Sequence, residues 1–220
     1  MAVAKADPNI VWVGTGSEGL RSNVSVGKGV WRSTDAGKTW THVGLERSQV
    51  IGAVVIHPTN PDIVYVAALG NPFAPSNDRG VYRTRDAGRS WTRVLYVSDS
   101  TGAVDIELKP GDPNVVYATM WRAERKPWTI ISGGPASETG LYKTTDGGRT
   151  WDQGQQLVRS EPKPLLNPLN SVYFRDARNG IVVGQSLIAR TTDGGQNWAT
   201  TRKIIAGEEF VVRSVQLTSS

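Results

Sequence analysis

The stretch that decides the fold lies at residues 140–151 and reads GLYKTTDGGRTW: a short strand, an Asp-Gly-Gly turn and a closing tryptophan. Related stretches occur at 29–40 (GVWRSTDAGKTW), 80–91 (GVYRTRDAGRSW) and 186–198 (SLIARTTDGGQNW). Their shared core is Ser or Thr, any residue, Asp, any residue, Gly, any residue, Thr, Ser or Asn, and Trp. Four copies spaced roughly 50 residues apart indicate a repeat architecture, in which each repeat is one supersecondary unit.

A second element precedes each of these boxes, namely a turn followed by a β-branched strand. It reads DPNIVWV at 7–13, NPDIVYV at 60–66 and DPNVVYA at 112–118, with the looser DARNGIVV at 176–183. Further short strands lie upstream of most of these elements, and one strand follows each box. Four short antiparallel strands in about 50 residues are typical of one propeller blade.

The sequence therefore predicts an all-β propeller with four blades of four antiparallel strands. Helix should be nearly absent, because no stretch shows a convincing apolar period of 3.6 residues. We expect one domain, with approximate blades at 1–47, 48–98, 99–158 and 159–205 and a closing strand within 206–220.

Composition excludes several kinds of site. The 220 residues contain no cysteine and only two histidines, so disulfides, thiol nucleophiles, cysteine-ligated metals and multi-histidine centres are excluded, and no cofactor is expected. The net charge of +5 is too small and dispersed to indicate nucleic acid. No run of 18 apolar residues is present, which argues against membrane insertion. The first residues lack the apolar region of a signal peptide.

The repeat resembles the Asp-box, or BNR, repeat of β-propellers. Residues from about 10 to 151 are similar to bacterial sortilin/VPS10-like proteins named BNR glycosyl hydrolases, through stretches such as VWVGTG at 11–16 and RGVYR at 79–83. Residues from about 165 to 200 resemble a blade of the Ycf48-type photosystem II assembly factors. The resemblance implies a secreted or periplasmic bacterial protein, although the chain itself leaves its localisation open.

The box is expected to be structural. Its Asp can accept hydrogen bonds from the backbone of its own turn, its Gly supplies a positive φ, and its Trp wedges an apolar ring between blades. In the resembling families the box lies on the face opposite the active site. A calcium site is not expected, because one carboxylate per box is too few. The structural positions are Ser33, Asp35, Gly37, Trp40, Thr84, Asp86, Gly88, Trp91, Thr144, Asp146, Gly148, Trp151, Thr191, Asp193, Gly195 and Trp198.

Ligand contacts are expected in the loops between the second and third strands of each blade, because loops on a rigid scaffold carry binding residues. These loops span 14–28, 70–79 and 121–139 and shrink to about 185–186 in the fourth repeat. Basic residues between two tryptophans could stack on sugar rings or bind an acidic group; the alternative is a loop that packs on its own blade. The candidate binding residues are Arg21, Arg79, Trp121, Arg122, Arg125 and Trp128.

Catalysis has weaker support. A glycosidase needs two carboxylates that face one substrate, and no spacing selects a pair. The weak candidates are Glu18, Asp78, Glu124 and Glu138. We therefore favour a non-catalytic binding or assembly module with a protein or glycan ligand, and the alternative is a carbohydrate-active enzyme of glycoside hydrolase type or a fragment of one.

Closure of the ring has two readings. Residues 1–4 are a poor inner strand, so the alternating stretch EFVVRSVQL at 209–217 is expected to complete the first blade and remove exposed edges. The alternative is an open half-propeller that pairs with a second copy.

Overall fold

The computed structural model describes residues 1–17, 24–133, 135, 137–155, 158–159, 165–166, 169–184 and 187–203. These residues form strands, turns and loops without a helix, so the prediction of an all-β fold is confirmed. In this part of the chain there is accordingly no helix that could cross a membrane. The strands form four consecutive antiparallel sheets of at least four strands each, which we number blades 1 to 4.

The strand bounds follow the repeats. Blade 1 contains β1 (Ala2–Val3), β2 (Val11–Gly14), β3 (Val30–Ser33) and β4 (Thr41–His42), and blade 2 contains β5 (Ile51–Ile56), β6 (Val64–Ala68), β7 (Gly80–Thr84) and β8 (Thr92–Leu95). Blade 3 contains β9 (Thr101–Leu108), β10 (Val116–Arg125), β11 (Ile130–Ser132), β12 (Gly140–Thr144) and β13 (Asp152–Gln153). After the separate pair β14 (Val158–Arg159) and β15 (Leu165–Leu166), blade 4 contains β16 (Leu169–Phe174), β17 (Gly180–Gly184), β18 (Leu187–Thr191) and β19 (Ala199–Lys203).

The core lies between the blades, because each middle blade is covered on both faces. All five residues of β6 are buried, which explains why its sequence VYVAA is continuously apolar instead of alternating. One cluster joins blade 2 to blade 3 and includes Tyr65, Val81, Ile106, Met120 and Tyr142. Apolar packing between successive sheets is therefore what stacks the repeats into one body.

The blades are arranged as an arc. The inner strands contact one another in the order β1, β5, β9 and β16, and no comparable contact joins β16 back to β1 among the described residues. The inner position of blade 1 is filled by Ala2–Val3, which pairs with β2, although residues 1–4 were expected to be a poor strand. The pairing of β1 with β2 involves the main chain of only two residues, so it forms without a strand-like pattern of side chains. The predicted closing strand at 209–217 lies outside the described residues.

Hydrogen bonds between side chains and the main chain also join successive blades. The Tyr65 hydroxyl donates to the Gly147 carbonyl oxygen of the next blade (3.0 Å), and Arg83 Nη1 donates to the same oxygen. One blade further on, the Tyr117 hydroxyl and Lys143 Nζ both donate to Gly194 O, at 2.6 and 3.0 Å. Each tyrosine is the cross-strand neighbour of its cation, in the registers Tyr65↔Arg83 and Tyr117↔Lys143. We call these two residues the clamp pair of a blade.

Blade 1 has a different clamp pair, formed by Trp12 and Arg32 in register. The Trp12 ring is fully buried and stands edge-on to Trp91 at a centroid distance of 6.2 Å. It also covers Gly88, where an added Cβ would lie 3.2 Å from the ring and 2.8 Å from Val43. The clamp pair of blade 1 therefore contacts the next box by ring packing, and the hydrogen bond to that box comes from Trp91, whose Nε1 donates to Val43 O (2.7 Å).

Candidate functional site

The four Asp boxes form the same closed turn. In the third box, Asp146 accepts hydrogen bonds from the main-chain N–H of Thr150 (2.9 Å) and from the hydroxyls of Thr150 (2.6 Å) and Thr144 (2.8 Å). The Gly148 N–H in turn donates to Thr144 Oγ1 (3.0 Å), and Gly148 has a φ of +86°. These contacts occupy the carboxylate within its own turn, so the box can stabilise the fold but offers no free catalytic group.

The hydrogen bonds also keep the box carboxylates ionised. In the first two boxes, the hydroxyl and N–H donors of Thr39 and Ser90 lower the pKa of Asp35 and Asp86 to about 2. The same kinds of donor lower the pKa of Asp146 and Asp193 well below its usual range. The acceptor that closes each turn is therefore available at any pH above the acid range.

The loop expected at 121–139 is largely a β-hairpin that projects from blade 3. β10 continues to Arg125 and pairs with β11, so the loop proper is only the turn between them and the segment after Ser132. The Arg125 guanidinium donates to the carbonyl oxygens of Lys126 and Thr129 (2.9 Å for the latter), which braces this turn. Arg125 therefore serves the hairpin itself, and the turn carries the exposed Trp128.

Trp128 is 97% exposed, the largest exposure among the aromatic side chains described. Phe73 (46%) and Ile130 (39%) are also exposed, and the loop of Phe73 is tied to the hairpin because the Arg125 N–H donates to Pro72 O (2.6 Å). Trp121 differs from Trp128, since it packs against a buried cluster and donates through Nε1 to Ser132 Oγ (3.1 Å). Of the two tryptophans predicted to bind a ligand, only Trp128 presents its whole ring to solvent.

Arg79 lies in the interior and not on the loop surface where a ligand contact was expected. It is fully buried, and its Nη2 donates to the carbonyl oxygens of Asn71 (2.7 Å) and Ala123 (3.1 Å), which link the blade 2 loop to the hairpin. Burial lowers the pKa of Arg79 to about 10, against the opposing effect of Glu124 and Asp99. The burial of Arg79 could not be predicted from the sequence, because an arginine at this position would suit an exposed loop equally well.

A small cavity opens between blades 1 and 2 beside the other end of this loop. Its volume is about 240 Å³, and Arg47, Ser48, Asp78 and Tyr82 contribute polar groups to its lining. Ser48 is 2% exposed, and its hydroxyl has no hydrogen-bond partner in the part of the chain described here. A buried hydroxyl without a partner is costly, so a polar group entering the cavity would gain a ready hydrogen bond. The sequence contains no motif that marks Ser48.

The candidate carboxylates are already engaged by neighbouring groups. Asp78 accepts from Ser76 Oγ (3.1 Å) and lies 3.5 Å from Arg47 Nε. Glu124 is paired with Lys126 Nζ. Glu138 Oε2 accepts from the hydroxyls of Ser98 (2.8 Å) and Thr101 (2.7 Å), and so ties its loop to the connection between blades 2 and 3. Each carboxylate thus has a structural partner of its own.

The remaining candidates are less informative. Arg122 is half-buried on β10, where its carbonyl oxygen accepts from the Gly133 N–H (3.1 Å). Glu18 and Arg21 lie outside the described residues. No group of three or more His, Asp or Glu side chains is arranged to hold a metal ion within the described ranges.

Glu107 is an ionisable residue that the sequence did not single out. It lies on β9 in register with Tyr117, on the face of blade 3 that points to blade 4. Burial and the neighbouring Asp105 raise the pKa of Glu107 to about 7, against the opposing effect of Lys5. Asp105 is held by the Val172 N–H (2.8 Å) of the next blade. Only the tertiary structure brings these groups together, because they come from three blades.

We expect Glu107 to make the folded chain less stable as the pH rises. Its carboxyl keeps a proton up to about pH 7 when folded but loses it near pH 4.5 when unfolded, so the folded state binds more protons in this window. Between pH 5 and pH 8, the free energy of unfolding should therefore fall by about 2 kcal/mol less in the Glu107→Gln variant than in the parent. Urea unfolding at both pH values measures this, with Glu46→Gln, an exposed position, as control. Parallel losses in the parent and Glu107→Gln would contradict the expectation.

Comparison with known proteins places these features in a family context. The sortilin family model, described as sortilin, neurotensin receptor 3, matches residues 28–163. A curated relative, the xyloglucanase Xgh74A of Acetivibrio thermocellus, is 32% identical over 182 residues, which cover 76% of this chain and 20% of that protein. The vacuolar protein sorting/targeting protein 10 of Sordaria macrospora is 24% identical over 59% of this chain and 8% of its own length. The chain thus spans a fifth or less of these relatives.

Solved structures give the same fold. The GH74 enzyme of Niastella koreensis matches 91% of this chain and 29% of its own, with a TM-score of 0.65 and 19% identity, which supports the propeller fold alone. Ycf48 bound to a D1 peptide is also among the similar structures, at a TM-score of 0.29 that is too low to bear on function. The sortilin-like resemblance predicted for residues 10 to about 151 is confirmed by the match at 28–163.

Proposed function

Because the chain belongs to the sortilin/Vps10 family, whose model covers more than half of it, we propose that it is a binding module that holds a glycan on its loop face. The observation that carries this proposal is Trp128, which stands almost fully exposed at the tip of a braced hairpin. An exposed indole ring is unfavourable in water, because its apolar surface is hydrated. Stacking the Trp128 ring on a ligand would bury that surface and favour binding. The C–H face of a sugar ring is a suitable partner.

The cavity beside Asp78 supports the same ligand class. It offers hydrogen-bonding groups of both kinds: the Asp78 carboxylate accepts, the Arg47 guanidinium donates, and the Ser48 hydroxyl does both. Hydroxyl-rich ligands match such a mixed lining. The loop at 70–79 borders the cavity at Asp78 and is bonded to the Trp128 hairpin through Pro72, so one ligand chain could contact both features.

We expect the Trp128→Ala variant to bind its glycan at least about tenfold more weakly, since it removes a full stacking surface. Isothermal titration with xyloglucan oligosaccharides, followed by a panel of other oligosaccharides, measures this. Trp40→Ala is the matched control, because Trp40 is also exposed (39%) but closes an Asp box. If no glycan in the panel binds, or if Trp128→Ala binds as well as the parent, the proposal fails and a protein ligand becomes the better hypothesis.

A second candidate function is glycoside hydrolysis, and the xyloglucanases among the relatives favour it. The chain would then supply one side of a catalytic cleft, with Asp78 or Glu124 as acid or base. Release of reducing sugar from xyloglucan that is abolished in Asp78→Asn or Glu124→Gln would establish this function and overturn the non-catalytic one. Binding without turnover would leave the binding module as the function.

A further inference from the structure

Blade 4 carries a clamp position for a blade that the described chain does not contain. In blades 2 and 3 the clamp pair grips the carbonyl oxygen of the residue after the box Asp, namely Gly147 and Gly194. The strand register places Ile181 and Arg190 at the corresponding positions of blade 4. The cation is therefore kept, as Arg190, on the face that points away from blade 3.

This face is open. A cavity of about 320 Å³ lies over it, lined by Tyr173, Ile181, Arg190 and Thr192 among others. Arg190 is exposed, and its guanidinium makes no hydrogen bond or ion pair with the described part of the chain. Where blade 3 presents Tyr117 and Lys143 to an Asp-box turn, blade 4 presents Ile181 and Arg190 in the same register, so the cation of the clamp pair is kept and the tyrosine is not.

Blade 1, at the opposite end of the arc, carries an Asp-box turn that could occupy this cavity. In the first box, Ala36 occupies the position of Gly147 and Gly194 and shares their left-handed conformation, with a φ of +59°. No donor from the described residues reaches its carbonyl oxygen, although its N–H is bonded to Asn9 O. The outward face of blade 1 also carries apolar side chains: Val3 is 50% exposed, and the half-buried Trp31 stands edge-on to His42 at a centroid distance of 5.1 Å.

Among the described residues, β16 and β1 lack the contact that joins neighbouring inner strands. We infer that blade 4 of one chain receives blade 1 of a second copy, with Arg190 donating to Ala36 O of the partner. A two-fold arrangement would form this contact twice, so that blade 4 of each copy meets blade 1 of the other.

The test compares the parent chain with two substitutions at the same position. Arg190→Met removes the donor, whereas Arg190→Lys keeps a cation of the kind that Lys143 uses in blade 3. Light scattering coupled to size exclusion, over a wide range of concentrations, should show a dimer for the parent and for Arg190→Lys. For Arg190→Met the dissociation constant should rise at least about tenfold, because a charge-assisted hydrogen bond is lost at each contact.

Two further variants control the result. Arg149→Met removes an exposed arginine from the third box and should leave the dimer intact, while Val3→Glu should disrupt it from the blade 1 side. Thermal unfolding of each variant verifies that the fold is kept. A parent that remains monomeric at all concentrations, including one closed on itself, overturns the proposal. So does a dimer that Arg190→Met and Val3→Glu leave unchanged.

Discussion

Replacing Gly52 with alanine is expected to destabilise the chain by about 3 kcal/mol, close to the largest effect of a single added methyl group. The inner strands of blades 2 and 3 approach each other at this point. A Cβ on Gly52 would overlap the Val104 carbonyl oxygen and would lie 2.7 Å from its carbon and 2.9 Å from its Cα. All three are main-chain atoms, which cannot rotate aside, so β5 and β9 would have to separate.

Urea unfolding at equilibrium measures the loss, and Gly111→Ala is the matched control. Gly111 has a φ of +82° but no atom within 4 Å of an added Cβ, so it tests the cost of backbone conformation alone. We expect that cost to be about 1 kcal/mol. If Gly52→Ala lost no more stability than Gly111→Ala, the close packing of the inner strands would be refuted.

Tyr117→Ala is expected to cost about 4 kcal/mol. The Tyr117 ring is fully buried and stacks on Phe174 of blade 4 at a centroid distance of 4.2 Å, while its hydroxyl donates to Gly194 O. Burial raises the pKa of Tyr117 to about 12, so the hydroxyl stays protonated and remains a donor. The substitution therefore removes both the packing and the hydrogen bond that join blades 3 and 4.

Tyr117→Phe separates the two contributions. It keeps the ring and removes only the hydroxyl, so it should cost about 1 kcal/mol, because Gly194 O loses one donor and keeps the other, Lys143 Nζ (3.0 Å). Tyr96→Ala serves as control, since Tyr96 is 43% exposed and should change stability by about 0.5 kcal/mol or less. If Tyr117→Phe lost no more unfolding free energy than the control Tyr96→Ala, the hydrogen bond from the Tyr117 hydroxyl would contribute nothing to stability.

The Asp boxes and the proposed ligand site use different parts of the blades. The Asp boxes close their own turns, and the third and fourth boxes are also gripped by the preceding blade, so their carboxylates serve the scaffold. The hairpin of Trp128 and the cavity at Ser48 and Asp78 belong to the loops and connections that carry the proposed ligand contacts. A strong sequence signal can thus mark structure, while the candidate site has little signal of its own.

What the sequence determined by itself is the repeat and the chemistry inside each repeat. The Asp-box contacts connect residues two to four positions apart, as in Thr144 to Asp146 and Gly148, so a pattern of eight residues is sufficient to specify them. The strands before and after each box follow from local composition and turns in the same way. The all-β fold and its four-stranded blades could therefore be predicted from the chain alone.

The tertiary structure alone decided which side chains are exposed, face a neighbouring blade or lie in the interior. Arg79 reaches Ala123, 44 residues away, and Tyr117 reaches Gly194, 77 residues away, and these separations leave no periodic trace in the sequence. The same holds for Glu107, whose raised pKa depends on burial between blades. Burial and long-range partners arise only when the blades pack, and they place similar residues in opposite environments: Arg79 is fully buried, whereas Arg190 is exposed.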